Sequence, residues 1–442
     1  MKSHFILILG FLALIGVQPL AAQSDEEHYE TPNCSCNYVA NTIGRVYETN
    51  GYDYIISYHQ HNTYNEFLIS DYANPNPNNV IRMELEEGLF VNDFEILDHE
   101  VYFCGELNNV GVIGFFDIND FLSQTAVPQY AKIYQSDMLE KMEVYVDPIT
   151  TNIVIAAVGI TTALYQQAPT TSTLYAIEID PSGVINYNYF SQTNSSSIDY
   201  HYWFQDVTIT KNYIVTSGVK DVAYDHFIIS KIDKSDLSHI HYYIYQETSG
   251  QLSDKYEIET LFKDEVALAT LNSFNTRIHT YDAISDQFLH SQDIPLEAKN
   301  PVIDLQFMDF DSSLIVLHRD EYPNPHTTNI VMKYADPYPS AIYSVDFIYD
   351  TKAKYASLDR FPGTTFFLAS GELNENNHAF LKLNKAFSGV PLCLDENNIE
   401  AAIISFPTIF TYVYWDLFSD TSSFEPVYVI YTDDNFVLQC HN

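Results

Sequence analysis

The sequence predicts an all-β chain: a seven-bladed β-propeller of four-stranded antiparallel blades, closed by its N- and C-terminal segments. Three observations predict it. Aromatic residues make up 15% of the 442 residues, with 35 Tyr and 28 Phe against only two Trp, and aromatic and β-branched side chains favour strands over helices. A short apolar run, often ending in Gly, recurs seven times at roughly 50-residue spacing, the period of a propeller blade. No stretch of useful length carries a 3.6-residue apolar period.

The recurring run reads as the second strand of each unit. It is Tyr54 to Tyr58, then Val101-Tyr102-Phe103-Cys104-Gly105, Ile155 to Gly159, Ile214 to Gly218, Ala267 to Leu271, Ile315 to Arg319 and Phe367 to Gly371. An alternating segment precedes it, as in Phe204-Gln205-Asp206-Val207 or Ile303-Asp304-Leu305. Another strand follows, frequently ending in an Asp- or Asn-bearing turn such as Asp117-Ile118-Asn119-Asp120. A fourth segment often completes the unit, as in Val184 to Tyr189. Gly105-Glu106-Leu107-Asn108 returns as Gly371-Glu372-Leu373-Asn374 at the same place in its unit. A four-stranded sheet of this size cannot bury both faces alone, and packing blades in a ring does so. Two β-sandwich domains, or a ring of six or eight blades, are the alternative architectures.

The ends are read separately. Lys2 followed by the apolar run Phe5 to Val17 and the small residues Leu20-Ala21-Ala22 reads as a signal peptide over residues 1–22. The run covers about 20 Å as a helix, short of a hydrocarbon core of ~30 Å. The expectation is export to the periplasm or the cell exterior, with no membrane span. Residues 23–442 then form a single propeller domain, with 391–442 closing the ring. Within that segment Ala401 to Phe406 reads as a strand, and Val427 to Tyr431 as a hairpin partner of Phe436 to Gln439. The N-terminal segment and this tail are expected to meet, in a blade built from both termini. Export permits disulfides, and Cys34, Cys36, Cys393 and Cys440 are the candidates; Cys104, in an apolar run, reads as a small buried hydrophobe.

The chain carries 59 Asp and Glu against 20 Lys and Arg, a formal net charge of −39. That charge repels a phosphate backbone and argues against nucleic-acid binding. An apolar fraction of 46% is too high for a disordered acidic chain.

The repeated units resemble those of secreted bacterial β-propeller proteins, exported by Gram-negative gut bacteria. The resemblance rests on Val101 to Gly105 followed by Gly111-Val112-Ile113-Gly114-Phe115-Phe116-Asp117. It covers most of the mature chain at the level of pattern. It brings no enzyme signature, and so implies no catalytic residues.

The candidate chemistry is sparse. His59-Gln60-His61 and His239-Ile240-His241 each put two imidazoles on one face of a strand, a spacing that suits zinc or copper, but neither has a recognisable third ligand. His318-Arg319-Asp320 matches a kinase tripeptide without the Gly-rich loop that should accompany it. Acidic turns at Asp309-Phe310-Asp311 and Asp433-Asp434-Asn435 are possible calcium ligands, without EF-hand spacing. No other cofactor is expected. Loops between second and third strands form the expected ligand-binding face: Tyr58, His59, His61, Glu106, Asn108, Tyr165, Arg319, Asp320, Tyr322, Glu372 and Asn374. Its aromatic and polar character suits a carbohydrate or a protein partner. The function expected is a non-enzymatic binding or scaffold propeller. The alternative is a polysaccharide-active enzyme, a glycoside hydrolase or lyase, with Glu106 and Glu372 as the acid pair.

Overall fold

In the computed structural model, the described residues are 39–49, 52–61, 65–71, 81–133, 136–161, 171–182, 185–193, 202–220, 226–235, 237, 240–246, 256–271, 276–294, 302–308, 313–319, 329–333, 346–350, 353–362, 366–373, 377–384, 403–404, 410–415, 424–430 and 436–437. Among these residues, apart from one short helix, the regular elements are strands, as the composition predicts. Sheet 1 is β1 (Val39–Thr49), β2 (Tyr52–His61), β3 (Asn65–Asp71) and β4 (Ile81–Glu84). Sheet 2 is β5 (Leu89–Leu97), β6 (Glu100–Leu107), β7 (Gly111–Asp117) and β8 (Gln129–Ile133), with α1 (Ile118–Leu122) between its last two strands. Sheet 3 is β9 (Met138–Val146), β10 (Ile153–Thr161), β11 (Thr171–Ile179) and β12 (Ile185–Thr193). Sheet 4 is β13 (Tyr202–Ile209), β14 (Tyr213–Lys220), β15 (His226–Asp233) and β16 (Ile240–Gln246). Sheet 5 is β17 (Tyr256–Thr260), β18 (Glu265–Leu271), β19 (Thr276–Asp282) and β20 (Gln287–Ile294). Sheet 6 is β21 (Val302–Met308), β22 (Ser313–Arg319), β23 (Asn329–Lys333) and β24 (Asp346–Asp350). Sheet 7 begins β25 (Ala353–Arg360), β26 (Phe366–Leu373) and β27 (Asn377–Asn384). In each of the first six sheets, strands consecutive in sequence are neighbours.

The apolar runs read from the sequence are the second strands, and they are the most buried. In β10 every residue from Ile153 to Ile160 is buried, because a strand packed on both faces needs no polar side. The runs end in Gly for a geometric reason. Gly105, Gly159, Gly218 and Gly371 each lie where the first strand of the sheet is bulged: the pairing shifts between Val91 and Asp93, Leu139 and Lys141, Phe204 and Asp206, and Tyr355 and Ser357. The bulge pushes the first strand's carbonyl across the ladder. A Cβ on Gly105 would stand 1.9 Å from the Phe90 carbonyl oxygen, and one on Gly159 2.7 Å from that of Met138.

The acidic turns also repeat. After the third strand, Asp117, Asp180, Asp233 and Asp282 each accept the backbone N–H two residues on, from Asn119 (2.7 Å), Ser182 (2.8 Å), Ser235 (2.8 Å) and Ile284 (3.0 Å). These are Asx turns, which use the carboxylate in place of a backbone carbonyl. In sheet 2 the same Asp117 also receives the Asp120 N–H at 3.1 Å and caps α1.

The chain divides into two compact units. One holds Met83–Ser273 and Arg277–Asp293, and so sheets 2 to 5; the other holds Glu30–Arg82 and Ile294–Asn442, and so sheet 1, apart from the end of β4, with sheets 6 and 7. In the first unit, first strands pack side by side in the order β5, β9, β13, β17. Apolar cores lie between successive sheets: Cys104, Ile113 and Met142 with Ile155 and Ile177, Val158 and Leu174 with Phe204, Ile214 and Ile228, and Val215 and Ile229 with Ile258 and Leu268. Cys104 is fully buried, as the sequence predicts, and burial with the nearby Asp93 charge pushes its thiol well above the usual range.

In the second unit β21 packs on β25, and β25 and β26 pack on β1. The first sheet of the chain therefore adjoins the last. Among the described residues no sheet takes strands from both ends of the chain: sheet 1 takes its strands from residues 39–84 and sheet 7 takes its own from after residue 352, while the N-terminal segment expected to meet the tail lies outside the described residues. Sheet 7 is completed by β29 (Phe410–Trp415) and β30 (Phe424–Ile430), with β29 paired to β27. The predicted hairpin joining Val427–Tyr431 to Phe436–Gln439 is corrected too: β30 pairs with β29, and β31 (Phe436–Val437) with β28 (Ile403–Ile404). The open edge of β27 takes up the aromatic strand β29, which then templates β30. Residues 1–38, with Cys34 and Cys36, and Cys393 and Cys440 lie outside the described residues.

Candidate functional site: an acid-lined row of first strands

The first strands of sheets 2 to 5 carry two systems of acidic side chains. One is structural. Asp93 and Asp206, each the first paired residue after its bulge, reach two ways. Asp93 accepts the N–H of Phe94 (3.0 Å) and, in the next sheet, that of Met142 (3.1 Å). Asp206 accepts those of Val207 (2.8 Å) and Ile258 (2.7 Å), again in the next sheet. The second unit repeats the device: Asp304 takes Leu305 (2.8 Å) and Leu358 (2.6 Å), and Asp359 takes Arg360 (2.7 Å) and Val46 (2.5 Å). A carboxylate holding two backbone donors makes charge-assisted bonds about twice as strong as neutral ones.

The second system lies along the same strands. Glu95 on β5, Lys141 and Glu143 on β9, and Glu259 on β17 are half-buried, and Glu257 is buried. Lys141 Nζ lies 3.9 Å from Glu257 Oε2. Loss of water raises the Glu143 carboxyl well above its ordinary range, and Glu95, Glu259, Asp206 and Asp93 push it further the same way. Burial likewise pushes Asp206 up to about 6, against the opposing pull of Lys141, two backbone donors and a hydrogen bond with Glu257. Among the described residues no three His, Cys, Asp or Glu side chains are grouped closely enough to hold a metal ion.

The residues expected to form a ligand face scatter by comparison. Tyr58 and His59 are fully buried in β2. The Tyr58 ring packs 5.4 Å from that of Phe67, and His59 Nε2 meets Ser57 Oγ at 2.7 Å. Both belong to the core and offer nothing to a ligand at the surface. Second strands are covered on both faces, and this run extends through His59. Glu106 is half-buried at the end of β6, its carboxyl raised by burial and by Asp137. Asn108 is exposed in the adjoining turn, at φ 54°. Its side-chain oxygen would stand 2.8 Å from a Cβ on Gly88, which itself has φ +82°. Arg319 and Glu372 lie on β22 and β26, opposite Asn329 and His378 in the ladders, and His61 ends β2 opposite Val39. Tyr165, Asp320, Tyr322 and Asn374, and the calcium candidates Asp309, Asp311, Asp433 and Asp434, lie outside the described residues. Glu106 and Glu372 fall in different units.

The sequence reading missed the acids of the first strands, although Asp93, Asp206 and Asp304 each directly follow the bulge of their strand. Comparing the flanking strands position by position would have found these three; in sheet 7 the equivalent place is Ser357, and Asp359 lies two residues on.

No family model matches the chain, and no curated protein matches it. Solved structures similar to it include the β-propeller domain of the Trilobed protease from Pyrococcus furiosus, which has an open velcro topology (11% identity, 79% of this chain and 93% of that one, TM-score 0.46). Saccharomyces cerevisiae Sqt1 is another (8% identity, 86% and 96%, TM-score 0.46). A third is a puromycin hydrolase (9% identity, TM-score 0.45), of which the match spans 59% against 87% of this chain.

Proposed function

We propose that the seven sheets are the blades of one β-propeller and that the protein is an exported, non-enzymatic binding module. It takes a cationic segment of a protein partner along the acid-lined first strands. The observation that carries this reading is the raised Glu143 carboxyl among Glu95, Glu259, Asp206 and Asp93. Stacking like charges close together costs stability, and such acidic clusters concentrate where a cationic partner relieves the repulsion. The spacing suits ammonium or guanidinium groups arranged along a chain better than one compact ion, since the described acids form no metal cluster. The overall charge of −39 steers the same class of partner. Export rests on the reading of residues 1–22.

The test is titration with Lys- and Arg-rich peptides, with a neutral oligosaccharide panel alongside. The expected result is saturable peptide binding that weakens at least tenfold between 50 and 300 mM salt and in the variant Glu95→Gln/Glu143→Gln/Glu259→Gln. Peptide binding unchanged in that variant, or saturable binding to the oligosaccharides alone, overturns it.

A further inference from the structure

A separate feature crosses sheet 5. Three successive strands place Thr270 (β18), His279 (β19) and Ser291 (β20) in one hydrogen-bonded row. Ser291 Oγ lies 2.7 Å from His279 Nδ1. His279 Nε2 lies 3.2 Å from Thr270 Oγ1, whose hydroxyl faces the Arg277 carbonyl oxygen at 3.5 Å. Thr270 and His279 are buried, while Ser291 is exposed on the outermost strand. The Phe288 ring, 5.4 Å from the imidazole, packs against it.

Either atom of the Nε2–Oγ1 contact can be the donor. In the tautomer protonated at Nε2, the Thr270 oxygen accepts from Nε2–H while its own hydroxyl faces the Arg277 carbonyl. Nδ1 is then the basic nitrogen and receives the Ser291 proton. An exposed hydroxyl on a buried, oriented imidazole, itself held by a third group, is the arrangement that activates a serine.

We infer that Ser291 is a nucleophilic serine that accepts an acyl group from an activated ester, with His279 as its general base and Thr270 positioning the ring. In the step, Ser291 Oγ attacks the ester carbonyl carbon and its proton passes to His279 Nδ1. A new C–O bond forms, the bond to the leaving alkoxide or phenolate breaks, and the imidazolium returns its proton to solvent. The product is O-acyl-Ser291, formed once per chain. This site is independent of the acid-lined strands.

The experiment is incubation of the full chain with p-nitrophenyl acetate, with nitrophenolate release read against intact mass and peptide mapping. The expected result is one acetyl group on the Ser291 peptide, formed at least tenfold faster than on Ser285, an exposed serine of the turn joining β19 to β20 whose hydroxyl donates to Asp282. Ser291→Ala, on the surface, removes it. Thr270→Val slows it severalfold and Thr270→Ser restores it, at unchanged thermal midpoint, which separates positioning from folding. Acetyl groups confined to lysines, or Ser291 labelled no faster than Ser285, or equally in Thr270→Val, overturns the inference.

Discussion

Asp206 shows how one side chain can fasten two sheets and carry strain at the same time. Its carboxylate receives the Val207 and Ile258 N–H groups, and replacing it by Ala orphans both donors in a buried place. Each orphan costs about 1–3 kcal/mol, so Asp206→Ala should lower the unfolding free energy by about 2–6 kcal/mol in urea titrations, and Asp93→Ala similarly. The pH response follows from the raised value. The unfolded Asp titrates near its usual pKa of about 3.9, the folded one near 6. Between those values the folded state binds more protons than the unfolded state, so stability falls as pH rises through the window and levels off above it. Glu143 is shifted in the same direction and extends the decline upward. Urea midpoints across pH 4 to 8 should decline for the native chain and decline less for Glu143→Gln; a rising profile would contradict the raised carboxyls.

Elements explain how far the sequence could be read. A strand packed on both faces must be apolar throughout, so second strands such as Ile153–Thr161 announce themselves as runs. The Gly that ends four of them was visible as a residue but not as a bulge, because the clash it avoids is with a carbonyl on another strand. The Asx turns were legible because Asp acts there on its own neighbours, within two residues. The staples were not, because Asp93 and Met142 are 49 residues apart. The sequence assigns His59 to the loop after the second strand, whereas β2 runs on to His61 and is buried through His59. The bulge makes a graded prediction. A Cβ on Gly105 meets backbone at 1.9 Å, whereas one on Gly111 meets its nearest atom at 3.2 Å. Gly105→Ala should therefore cost several kcal/mol, above the about 1–3 kcal/mol of ordinary overpacking, and Gly111→Ala distinctly less. Comparable urea midpoints for the two would remove the bulge as the cause.

At the scale of the whole molecule, the first described strand, β1, is held by residues of β25, 313 positions further along the chain. The Val46 N–H reaches Asp359 Oδ2 (2.5 Å), the Gly44 N–H reaches Ser357 Oγ (3.2 Å), and Arg45 points a guanidinium at the Leu358 carbonyl (3.4 Å). Ser357 in turn meets Ser370 Oγ at 2.5 Å, so the fastening runs on into β26. These bonds span 313 residues. They form late in any folding order, since closing a long loop must precede the contacts that reward it. Sheet 1 should consequently lose protection whenever sheet 7 is weakened. In Asp359→Ala/Ser357→Ala, hydrogen exchange at Val46 and Gly44 should accelerate by at least tenfold, while Val154 and Val215, in the other compact unit, exchange as in the native chain. Equal acceleration in all four places would mean that the chain opens as one cooperative whole, and unchanged exchange at Val46 would mean that apolar packing between β1 and β25 holds the junction without the carboxylate.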